Sequence, residues 1–156
     1  MGTRDTGAYA TMSDVVEYFD WLGGQFSDSA DPRTRIEAAG AAIHTHEQGL
    51  TNAMLHGTGN LTGLVDMEGV LIIGGVDNPA REGLVSIAVD GLNSPDLVTA
   101  LRSRDIRTHT RKADHYSGNI LDPLGLTDAV RVSMCHYNSL DDVKAFLAAM
   151  HEILEG

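Results

Sequence analysis

The stretch that most constrains the fold is Ala129 to Leu154, AVRVSMCHYNSLDDVKAFLAAMHEIL. From Ala129 to Tyr137 the side chains alternate. An extended strand would therefore carry Val130, Val132, Met134 and His136 on one face and Arg131, Ser133, Cys135 and Tyr137 on the other. The first face has the character of a core. A guanidinium in the middle of such a strand is costly to bury alone, so Arg131 must meet either a carboxylate of its own chain or an anionic ligand in a cleft. Ser139 followed by Asp142 fits a capping box, and Val143, Phe146, Leu147, Met150 and Leu154 recur at helical spacing, which predicts a closing helix.

Upstream, Ser13 caps a predicted helix with Val15, Val16, Phe19 and Leu22 on one side, ended by Gly23-Gly24 in the left-handed geometry that glycine adopts freely. Pro32 opens a long alanine-rich helix running from Arg33 to about Leu55. Its small residues could leave apolar surface on which the chain associates with itself. Gly57, Gly59 and Gly63 follow a helix rather than a strand, so they make a turn and fail the context of a dinucleotide fingerprint. The period then changes. GVLIIGG and LVSIAV are two buried strands that pair as neighbours, Asn93 or Ser94 caps a helix with Pro95 at its first position, and Ile106 to Arg111 is a further strand. KADHYSGNILDPLGLTD carries Gly118, Pro123 and Gly125 and is expected to be a loop packed by Ile120, Leu121 and Leu124. The fold expected is α+β, a small antiparallel or mixed sheet of about four strands with helices packed on one face. Residues 1–31 form a lead-in and linker helix, and residues 32–156 form the domain.

Charge and apolar run length exclude several classes of function. The chain of 156 residues has a net charge of −11 with its arginines and lysines scattered. This predicts no nucleic-acid partner and no affinity for anionic membranes. Its longest apolar runs fall far short of the ~18 residues that span a bilayer. A cytoplasmic protein is expected, and the single cysteine, Cys135, excludes an intrachain disulfide.

Few residues carry recognisable chemistry. On the strand from Ile106 to Arg111, Arg107, His109 and Arg111 share a face opposite Ile106, Thr108 and Thr110. If this strand neighbours the one that carries Arg131, guanidiniums line one polar sheet face, the planar forks that a carboxylate needs. The alternative is a solvated strand whose arginines pair with nearby Asp and Glu. His44 and His46 stand about 200° apart on a helix and cannot chelate one ion; His44 with Glu47 gives two ligands where zinc wants three or four, so no metal is expected. His109, Asp114 and His115 are unhelpfully spaced for acid–base work. Cys135, mid-strand, is expected to be an inert wall residue.

The run VRVSMCHYNSLDDVKAFL resembles the last strand and helix of the class V aminotransferases, pyridoxal-phosphate enzymes that include the cysteine desulfurases. In that family an arginine, a small residue, Tyr-Asn and an acidic helix start recur. The resemblance extends through IRTHTR, REGLVSIAVDG and RIEAAGAAIHTHEQGL to Gly2-Thr3. It implies the C-terminal, small domain of a fold-type I pyridoxal-phosphate enzyme acting on a small amino acid, a homodimer in which a large cofactor-binding domain precedes this portion. It further implies that Arg131 grips the substrate's α-carboxylate with Arg107 nearby, and that Gly2 and Thr3 reach the cofactor phosphate of the partner subunit. No catalytic residue is assigned to this chain. Two departures stand out. The desulfurase pattern Arg-x-Gly-x-x-Cys reads RTHTRK here, with His109 for the glycine and Lys112 for the thiol. The lysine that carries the cofactor is expected outside this portion, because neither Lys112 nor Lys144 has the family's lysine context. The portion is therefore expected to bind no cofactor covalently and to be inactive alone. The alternative is a noncatalytic binding or assembly module that keeps the fold.

Overall fold

A computed structural model describes residues 5–156 of the chain. By its internal contacts the chain divides into two units, Met1–His46 and Glu47–Gly156.

In the first unit, helix α1 (Thr6–Gly23) begins eight residues before the expected start. Its cap is Asp5, whose carboxylate accepts from the Ala8 N–H at 3.1 Å, and this satisfies one of the orphan donors of a first turn. Ser13 therefore lies inside the helix, its hydroxyl donating to the Tyr9 carbonyl at 3.2 Å. Gly24 has φ −63°, so the left-handed ending expected of Gly23-Gly24 does not form. Glycine is required at Gly23 for a different reason: a Cβ there would stand 1.8 Å from the Arg35 carbonyl oxygen. Most of the large apolar side chains of α1, among them Tyr9, Met12, Val16 and Trp21, are exposed. It is α1, and not the alanine-rich helix, that carries the exposed large apolar residues.

Helix α2 (Pro32–His56) crosses the division between the units. Within the second unit its end supplies Leu50, Ala53, Met54 and Leu55 to the main core. The glycines after it form a tight hairpin, β1 (Gly57–Thr58) against β2 (Leu61–Thr62). Four longer strands follow: β3 (Val70–Ile73), β4 (Leu84–Val89), β5 (His109–Lys112) and β6 (Asp128–Ser133). They make one antiparallel sheet in the order β3-β4-β6-β5, so the two predicted neighbours do pair and β6 is a central strand. Helices α3 (Ser94–Arg102) and α5 (Leu140–Glu155) cover one face. There Val85, Ile87, Val130 and Val132 meet Leu97, Leu101, Val143, Phe146, Leu147 and Met150. This is the period-2 pattern of a sheet meeting the 3.6 period of helices. The α+β class and the four-stranded sheet are as the sequence indicated.

Two local readings need correction. The strand from Ala129 ends at Ser133, and Cys135 to Asn138 make a turn, with the Cys135 N–H donating to Asn138 Oδ1 at 2.9 Å. Cys135 is accordingly half-buried in a turn, not mid-strand. The stretch from Lys112 to Asp128 contains a short helical turn, α4 (Gly118–Leu121). Of the three residues expected to pack it, only Leu121 is buried, while Ile120 and Leu124 are exposed. Ile120 and Leu121 are neighbours on this turn and point about 100° apart, so only one faces inward, and Leu124 lies beyond the turn.

Ser139 and Asp142 close the expected capping box at the start of α5, an arrangement worth about 1 kcal/mol. At the other end of the sheet Asp128 accepts from the Ser94 N–H at 2.9 Å, tying β6 to the start of α3. Hydrogen bonds from the Ser94 hydroxyl and backbone, then from Thr127, hold the Asp128 carboxyl below the ordinary carboxylate value. A carboxyl depressed on folding stabilises the fold above its unfolded value and loses that contribution as pH falls through the folded one. Stability should therefore decline as pH drops below about 4. Asp128→Asn, which still offers an acceptor but no charge, should make the urea midpoint fall less steeply between neutral and acid pH. An unchanged slope would show that this carboxylate carries none of the dependence.

Candidate functional site

The sheet has two chemically different faces because its strands alternate. On the face away from α3 and α5, Arg131 lies at the centre of a cross-strand row. Ser86 of β4 is directly opposite it on one side and His109 of β5 on the other, and Ile73 of β3 stands beyond Ser86. The expected adjacency of the two arginine-bearing strands is thus present, with the register now fixed. Ile73, Ala129 and Leu121 of the turn α4 form a small apolar cluster on this face. It lies against the Arg131 row, and apolar neighbours of this kind can cover an arginine stem while the head stays polar.

Arg131 is half-buried. Its Nε is buried, and among the described residues it has no hydrogen-bond partner. No carboxylate among the described residues forms an ion pair with it, whereas Arg33, Arg35, Arg104 and Lys144 each have one. A desolvated donor on a fixed charge is expensive to leave unmade, which makes this nitrogen a place where an anion gains more than it would in water.

Arg107 is exposed and lies two residues before β5. It borders a cavity of about 390 Å³ at the edge of the sheet, together with Thr108, Ser133, Asn138 and Phe146. That cavity is lined in part by the core-facing residues Thr108, Val132 and Met134, and Arg131 is not among its lining residues. The structure therefore does not gather Arg107 and Arg131 into one cavity. Gly2 and Thr3 lie outside the described residues.

The remaining candidates resolve into local structure. Asp114 accepts from the Tyr116 and Ser117 N–H groups at 2.9 and 2.8 Å, chiefly the Ser117 bond holding its carboxyl below the ordinary range. It is a turn cap. Glu47 accepts from the Gly83 N–H at 3.2 Å. His44 and His46 lie on α2, and among the described residues no cluster of three His, Cys, Asp or Glu is arranged to hold a metal. No helix among the described residues is long and apolar enough to cross a membrane. What the residue pattern alone could not locate is Ser86, a small polar residue in an apolar strand. Its alternation with Val85 and Ile87 placed it on the polar face, but only the register puts it beside Arg131.

Comparison with known proteins is consistent with this geometry. Residues 36–146 match the family model described as aminotransferase class-V. A probable cysteine desulfurase of Pseudomonas putida is 32% identical over 114 residues, 73% of this chain and 25% of that protein. One of Halobacterium salinarum is 32% identical over 111 residues, 71% of this chain and 25% of that protein. Among solved structures, the apo cysteine desulfurase of Thermococcus onnurineus NA1 superposes with a TM-score of 0.68 at 27% identity, covering 80% of this chain and 29% of that one. The Escherichia coli cysteine desulfurase CsdA, at 20% identity and a TM-score of 0.60 over 81% of this chain and 31% of that one, shares the fold. The chain thus spans about a quarter of the length of the curated relatives it matches. With a family model covering most of its length and relatives of this identity, the chain belongs to the class-V aminotransferase family.

Proposed function

We propose that this chain is the C-terminal portion of a pyridoxal-phosphate-dependent class V enzyme acting on a small amino acid. Its task there is to bind the substrate's carboxylate through Arg131 and to close over the cleft. The observation that carries this reading is the buried Nε of Arg131, without a partner among the described residues, on the sheet face away from the core. A guanidinium presents two parallel N–H donors to a carboxylate, and the half-buried setting reduces the competition from water.

Cysteine desulfurases are pyridoxal-phosphate-dependent in full length. The cofactor would supply stabilisation of a carbanion at the substrate's α-carbon, and it needs a lysine amine for attachment. The described residues do not fit that requirement. Lys144 Nζ is 2.8 Å from Asp141 Oδ1 on α5, and Lys112 is exposed at the end of β5. No step through the cofactor is therefore assigned to this chain, and we take it to be inactive alone. The reading requires two partners, the cofactor-bearing large domain and a second copy in a homodimer. The exposed apolar residues of α1 offer surface to such partners.

The test is a titration of the chain with butyrate, a carboxylate without an amino group, following the arginine Nε–H resonances by NMR. The Arg131 signal should shift most and saturate. An Arg131 signal that stays still while exposed arginines drift together would overturn the carboxylate reading.

A further inference from the structure

One carboxylate occupies one guanidinium, yet the face that holds Arg131 carries more cationic and donor groups than that. In a chain of net charge −11, β5 places His109 directly opposite Arg131 and Arg111 directly opposite Ala129. By alternation both belong to the Arg131 face. In β3, β4 and β6 the other positions on this face are apolar residues and serines, with no acid among them. Asp114, three residues beyond Arg111, attracts its charge, but the carboxylate takes its hydrogen bonds from two backbone N–H groups. Residues directly opposite on antiparallel strands have Cβ atoms about 5 Å apart and diagonal ones about 7–8 Å, and like charges so placed repel. Arg131 and Arg111 are such a diagonal pair and His109 adjoins both, so an anion seated among the three relieves the repulsion between the two guanidiniums.

We propose that this face takes a dianion, a short acid with two negatively charged groups, such as a four-carbon dicarboxylate or an amino acid with an acidic side chain. One group sits on Arg131 and the other on the His109 N–H and the Arg111 guanidinium. This rests on the carboxylate reading of Arg131 and narrows it, because a neutral amino acid would leave His109 and Arg111 without a task. One of these positions also departs from the desulfurase pattern Arg-x-Gly-x-x-Cys, since RTHTRK puts His109 where that pattern has glycine.

The test compares succinate with butyrate in titrations of the chain at matched ionic strength, read on the Arg131 Nε–H resonance. Succinate should bind about tenfold more tightly, the increment of one further charge-assisted contact. In the doubly substituted chain His109→Ala/Arg111→Gln, both changes lying at exposed positions, the ratio of the two affinities should fall to about one. Equal affinities in the unsubstituted chain, with Arg131 still responding, would overturn the dianion proposal and leave the carboxylate reading standing. A succinate preference that survives the double substitution would overturn it as well. Silence of the Arg131 resonance to both acids would sink both readings together.

Discussion

Replacing Arg131 by methionine should lower the affinity for butyrate by about a hundredfold while leaving the fold as stable as before, or more stable by about 1 kcal/mol. Methionine keeps the volume of an unbranched apolar stem beside the cluster of Ile73, Ala129 and Leu121 and removes a charge whose Nε is desolvated without a partner among the described residues. The sign is what matters. Taking one member out of a buried ion pair typically costs about 3–5 kcal/mol, because it strands the other charge. A urea midpoint that falls by such an amount would mean that Arg131 is structural. A midpoint that holds or rises, with binding lost, would mean that the residue is maintained at the expense of stability for the sake of a ligand.

The second large effect belongs to the opposite face. Leu147 of α5 is fully buried in the main core, in the cluster that includes Val85, Ile87, Val130 and Met150. Leu147→Ala removes its transfer free energy and leaves a void between helix and sheet, at a cost of about 3 kcal/mol. In a chain of this length that lowers Tm by roughly 10 °C, to be measured by far-UV circular dichroism. Leu140→Ala, at the exposed start of the same helix, should stay within about 0.5 kcal/mol. Similar losses for both would show that helix propensity, not packing, dominates at Leu147.

The contrast between these faces explains how much was legible beforehand. Val130, Val132, Phe146 and Leu147 repeat with periods that belong to one strand and one helix, so the closing strand, the capped helix and the shared core could be read from spacing alone. What spacing cannot encode is register between strands distant in sequence. Arg131 was identifiable as an arginine in an apolar strand, but its neighbours Ser86 and His109 come from 45 and 22 residues away in the chain and are fixed only by the ladder. The start of α1 was missed because Ser13 is a good cap residue placed where the helix was already running, and its hydroxyl turned back to the Tyr9 carbonyl instead. Met134 kept the alternation of a strand past its end because it is buried from the turn, with its N–H bonded to the Gly83 carbonyl at 2.6 Å. The grouping of Arg107 with Arg131 followed from alternation, yet Arg107 precedes β5 and borders a cavity that Arg131 does not line.

The exposure of α1 also decides which spectroscopic signals can follow the sheet. The only tryptophan, Trp21, lies on that helix in the unit Met1–His46 and is 60% exposed. An indole already in contact with water has little further to shift when the chain unfolds, and it sits outside the residues that build the four-stranded sheet. Its emission is therefore nearly blind to the melting of that sheet, and a fluorophore placed in the second unit would be needed to watch β6 and α5 come apart.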